Sequence, residues 1–135
     1  MAKLDGIIRF RKRELDDLRR DLVKLEEDLA GIDNQLDQLS AEEAQEVKQA
    51  GLEVSTTSLA AYVRGVEIRR QGFLEQRKEQ DEKVEEQRDR VQRAFEELKT
   101  LEIADERQKA RAAAEEARKQ QEELDELALR PFSND

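Results

Sequence analysis

Residues 15–39, LDDLRRDLVKLEEDLAGIDNQLDQL, carry the pattern that decides how the chain folds. Leu15, Leu18, Leu22, Leu25, Leu29, Ile32, Leu36 and Leu39 follow one another at alternating spacings of three and four. Apolar side chains that recur on average every three and a half residues form a seam along one side of a helix. The order of the spacings places Leu15, Leu22, Leu29 and Leu36 at the first core position of the heptad, and Leu18, Leu25, Ile32 and Leu39 at the fourth. On a lone helix these leucines would stand in water, so the stretch requires another helix to cover it.

Working outward, Leu4 and Ile8 extend the seam toward the start, with Arg11 interrupting it. After Leu39 it fades, although Val47 and Ala50 allow the helix to run on to Gly51, a residue suited to a left-handed cap. Ser55, Thr56, Thr57 and Ser58 are candidate N-caps for a second helix. No proline follows until Pro131. The second seam runs through Leu59, Val63, Val66, Phe73, Val84, Val91, Ala94, Leu98 and Leu101, with Arg70, Arg77, Gln80 and Gln87 at the intervening core positions. Arginine stems can lie across apolar surface while their heads reach solvent, so this seam is weakened rather than abolished. Beyond Leu101 the stripe moves to a new face through Ile103, Ala110, Ala114, Ala117, Leu124 and Ala128. The reading is therefore an all-α antiparallel two-helix coiled-coil hairpin in a single domain. Helix 1 covers about 3–50, a turn 51–57 and helix 2 about 58–130, with a tail at 131–135.

Composition agrees with a thin seam and with little else. The 135 residues are 44% charged and 4% aromatic, too polar to fill a thick core. Cysteine and histidine are absent, which removes thiol and imidazole chemistry and the usual zinc and haem ligands. No glycine-rich phosphate loop is present, and catalytic carboxylates need a desolvated pocket that two helices do not offer. The expectation is a non-enzyme without cofactor, catalytic or metal site. The formal charge of −9 divides as +3 over residues 1–20, −8 over 21–60 and −4 beyond. This acidic balance argues against nucleic acid as partner. No run of about 20 apolar residues is available to insert in a membrane, so a cytoplasmic protein is expected.

Charge also selects the partner helix. A parallel pair of first helices would set Asp21 against Glu26 and Asp28 against Asp33. Folding back about residue 50 instead lays Asp28, Asp33 and Asp37 along Arg64, Arg69, Arg70 and Arg77, and Arg9 to Arg13 beside Asp89, Glu96 and Glu97. A monomer follows, with opposed residue numbers adding to about 100. Helix 1 then covers helix 2 only to about Leu98 or Leu101, and the last thirty or so residues project alone.

The leucine helix opening Leu4-Asp5-Gly6-Ile7-Ile8-Arg9 resembles the flagellar export protein FliJ family. So does the end of the chain, Lys99-Thr100-Leu101-Glu102, Glu106-Arg107 and Glu122-Glu123-Leu124-Asp125-Glu126-Leu127-Ala128-Leu129-Arg130. Its relatives include the coiled-coil proteins of virulence secretion systems. The resemblance covers the whole length. It implies a stalk similar to the F-type ATPase gamma subunit that binds the hexameric export ATPase, promotes ring assembly, and couples it to the membrane-embedded export gate and to export chaperones. On that reading Arg107, Arg111, Arg118, Leu124, Asp125 and Glu126 meet the ATPase ring, and Tyr62, Phe73 and Leu74 meet the gate or a chaperone near the turn. Against this stands the plainer reading, in which the arginines are solvated charges interleaved with Asp105, Glu106, Glu115 and Glu116 and Phe73 is seam. Ile7, Val23 and Phe95 fall off the seam as ordinary surface residues. The alternative function is a self-associating coiled-coil spacer or scaffold.

Overall fold

The computed structural model describes residues 4–53 and 56–130, and it is all-α. Helix α1 spans Asp5–Glu53 and helix α2 spans Thr56–Leu129. Both are built from residues that lose little side-chain entropy in a helix, mainly leucine, alanine, glutamate, glutamine, lysine and arginine. Asp5 puts a carboxylate in the first turn of α1, where it meets the positive end of the helix dipole. The expected cap at Gly51 is not formed. α1 continues through it to Glu53, and no described glycine has a positive φ. Thr57 and Ser58 lie inside α2, while the candidate cap Ser55 and the tail Pro131–Asp135 fall outside the described residues.

The chain divides into two compact units, each made of a piece of both helices. In the unit of residues 16–92 the helices run antiparallel. Arg77 Nε donates to Asp33 Oδ1 at 2.6 Å, Arg70 to Glu43 at 2.7 Å and Arg88 to Glu26 at 3.4 Å. Leu39, Val66 and Val84 are the buried aliphatics of this unit, while Leu18, Leu22, Leu25, Leu29, Ile32 and Leu36 are half-buried. Two helices alone cannot close over a leucine seam, so its flanks stay wet.

The polar positions of the second seam have specific partners. Gln80 and Gln87, one heptad apart, donate their amides to the main-chain carbonyls of Leu25 and Leu18, one heptad apart on α1, each at 3.0 Å. Gln87 is only 5% exposed, and a buried amide without a partner would be costly. Arg70 and Arg77 reach outward to carboxylates instead. These ion pairs are partly solvated and contribute little individually.

In the unit of residues 1–15 and 93–135 the same antiparallel order holds. Ile8, Leu15 and Leu98 are buried, and Arg11 at the interrupted core position reaches both Glu14 at 3.0 Å and Glu97 at 3.6 Å. Opposed residue numbers add to between about 105 (Gln80 with Leu25) and about 114 (Lys109 with Asp5) rather than to 100. The shift has a simple cause: α1 reaches Glu53, so the reversal falls later in the chain than residue 50.

Candidate functional site: the uncovered end of α2

The later reversal lengthens the covered part of α2. Its seam does not stop at Leu101 but takes one further step to Asp105, which is 7% exposed and therefore not the solvated charge its sequence neighbours suggested. Lys109 Nζ holds Asp105 Oδ2 at 2.9 Å and approaches Asp5, in the first turn of α1, at 3.6 Å. The Asp105 bond, then the charges of Asp105 and Asp5, raise the Lys109 pKa above its ordinary value. The other carboxylate oxygen, Oδ1, has no hydrogen-bond partner. Among the described residues this polar layer is the last at which α1 touches α2.

From Glu106 to Arg130 every residue is exposed. Past Lys109 roughly 20 residues of α2, some 30 Å at 1.5 Å per residue, run as a single helix without α1 beside them. The helix there rests on propensity and on its own ion pairs, because Ala110, Ala112, Ala113, Ala114 and Ala117 bury nothing. Arg118 is paired with both Glu115 and Glu122, and Gln121 donates to Asp125 at 3.0 Å. Leu124, Leu127 and Leu129 are large, apolar and exposed near the end.

Residues Arg107, Arg111 and Arg118 lie at helical separations of four and seven, so they share one side of this segment, and Asp125 follows seven after Arg118. Arg118 is engaged within its own helix, whereas Arg107 and Arg111 project without an ion pair among the described residues. Leu124 and Glu126 flank that side. The second expected set lies in the other unit: Tyr62 and Phe73 are half-buried along the seam and Leu74 is exposed beside it. The seam itself takes Tyr62 where the heptad reading took Val63, which is 37% exposed. Ile7 and Val23 are exposed as expected, while Phe95 is half-buried with the Lys99 ammonium 5.5 Å from its ring centre.

These features define a class: an all-α protein of two antiparallel packed helices, the second longer than the first can cover. Comparison with known proteins makes the assignment particular. The family model described as Flagellar FliJ protein matches residues 1–135, so the chain belongs to the FliJ family. No curated protein and no solved structure gave a match. Membership makes the chain a non-enzymatic accessory component associated with flagellar export. None of its described helices is long and apolar enough to cross a membrane.

Proposed function

We propose that the chain is a cytoplasmic, stalk-like subunit that inserts the uncovered end of α2 into the hexameric export ATPase. There it promotes ring assembly and couples the ring to the export gate, with export chaperones as further partners. The observation that carries this reading is the unequal cover: among the described residues the last ion pair from α1 is Asp5 with Lys109, and residues 110–130 beyond it are all exposed. A single helix about 10 Å across fits where a globular domain does not. Arg107 and Arg111 supply free guanidinium groups for carboxylates in a ring, and Leu124 supplies apolar area near the tip. Tyr62, Phe73 and Leu74 are assigned to the gate or a chaperone.

The test is a pull-down of purified export ATPase with the full chain and with a chain ending at Lys109, read together with hexamer content and ATP hydrolysis. The full chain retains the ATPase and raises both quantities, and the shortened chain does neither. Equal retention by both chains, or no change in hexamer content or hydrolysis, overturns the assignment. The self-associating scaffold reading would instead give a concentration-independent dimer or filament in light scattering.

A further inference from the structure

Three residues fit badly with the register in which the helices are paired. Gly51, suited to cap α1, lies inside it without a positive φ. Val63 stands three before the buried Val66 and keeps the phase of the α2 seam, yet it is 37% exposed. Asp105 is 7% exposed, and its Oδ1 has no partner among the described residues. One change relieves all three. The helices reverse between Glu53 and Thr56, so opposed positions add to about 109, which sets Val63 against Glu46, Val66 against Glu43 and Asp105 against Leu4. Sliding α1 back by one heptad lowers the total to about 102. The reversal then falls at Gly51, Val63 meets Leu39, Val66 meets Leu36, and Asp105 passes beyond the first turn of α1 into water.

The polar partners survive the same step. Glu26 lies one heptad before Asp33, and Arg70 one heptad before Arg77. The shift therefore hands Arg77 from Asp33 to Glu26 and gives Asp33 to Arg70. Gln80 passes from the Leu25 carbonyl to that of Leu18, the acceptor Gln87 now uses. What opposes the shift is the loss of Arg70 with Glu43 and of Arg88 with Glu26, after which Arg88 faces Arg19. Exposed pairs of this kind are each worth little, so the present register leads by a small margin. Sliding the other way has no such support, because it sets Arg77 against Ser40. We infer that α1 and α2 are a two-register pair, in which a one-heptad slide of about 10 Å moves the reversal to Gly51 and lengthens the uncovered end of α2 by the same distance. The inference does not depend on the ATPase assignment.

The chain has no cysteine, so nitroxide labels can be attached at N34C and E86C, two exposed sites in the unit of residues 16–92. Pulsed dipolar spectroscopy of the full chain, diluted in unlabelled chain, then reads the distance between the helices' labels. Two populations are expected, the longer being the second register, since the slide carries Asn34 away from Glu86. R19E gives Arg88 a carboxylate in that register and raises the longer population at least threefold. V63K puts a charge against Leu39 there, while in the present register it stays near solvent, and it lowers the longer population at least threefold. Helicity by circular dichroism confirms that each variant is folded. A single short distance in both the unsubstituted chain and R19E overturns the inference, as does a longer population that V63K leaves unchanged.

Discussion

Asp105 shows what one misplaced charge does to a helix pair. Its carboxylate sits at a core position, yet only one of its oxygens is engaged, by the solvated Lys109. Removing a carboxylate from water costs more than a single partly exposed ion pair returns. Leucine at this position would extend the seam by one apolar layer, and Lys109 would remain hydrated with Asp5 nearby. Asp105→Leu is therefore expected to stabilise the chain by about 1–2 kcal/mol, read as a higher urea midpoint with unchanged slope. A lower midpoint would show that the clasp of Lys109 between Asp105 and Asp5 is worth more than its exposure implies. Nothing in the sequence marked Asp105 as buried, because an aspartate beside Glu106 and Arg107 reads as surface, and only a later reversal brings it opposite the start of α1.

At the scale of the elements, most of the pairing was legible. The strict leucine repeat of α1 places every seam residue from Leu15 to Leu39 correctly, since a three-four alternation allows one register only. From Val66 to Leu101 the interrupted seam of α2 was legible too, including Gln80 and Gln87, because polar residues still occupied the right phase; Val63 was not, since Tyr62 takes its place. The offset between the helices was not, since a uniform row of leucines looks the same after a shift of a heptad, and it is the particular partners, Arg77 with Asp33 and Arg70 with Glu43, that fix it. Tyr62, the only tyrosine, reports on this offset. Burial, and then the charges of Glu46, Glu42 and Glu43 on α1, push its phenol pKa up, with Arg69 opposing. The folded chain thus holds the phenol proton more tightly than the unfolded chain does. This contribution to stability is complete below the free value of about 10 and is lost as pH rises through the folded value. Tyrosinate absorbance should titrate above free tyrosine, and glutamine at Glu42, Glu43 and Glu46 should bring the midpoint down. An unchanged midpoint in that triple variant would mean that α1 carries different residues past Tyr62.

Across the whole molecule, the two helices are held by very different means, and this gives a measurable division of stability. Where α1 and α2 are paired, buried Leu15, Leu39, Val66, Val84 and Leu98 couple one helix to the other, so that section should melt as a cooperative unit. Residues 110–130 bury no side chain and hold their helix by propensity and by local pairs such as Arg118 with Glu115 and Glu122. An isolated helix of about 20 residues is marginal in water and frays without a sharp transition. Circular dichroism on heating should accordingly show a shallow loss of helix at low temperature followed by a steep one. Ending the chain at Lys109 should abolish the first while leaving the midpoint of the second within about 2 °C, since a surface change away from packed contacts is worth under roughly 0.5 kcal/mol. On the proposed assignment, added export ATPase should move the shallow phase up toward the steep one, because a partner that holds only the helical form stabilises it by mass action. If instead the shortened chain lost its steep transition, the end of α2 would be supporting the paired section, and the proposal that it is kept free for a ring would fail.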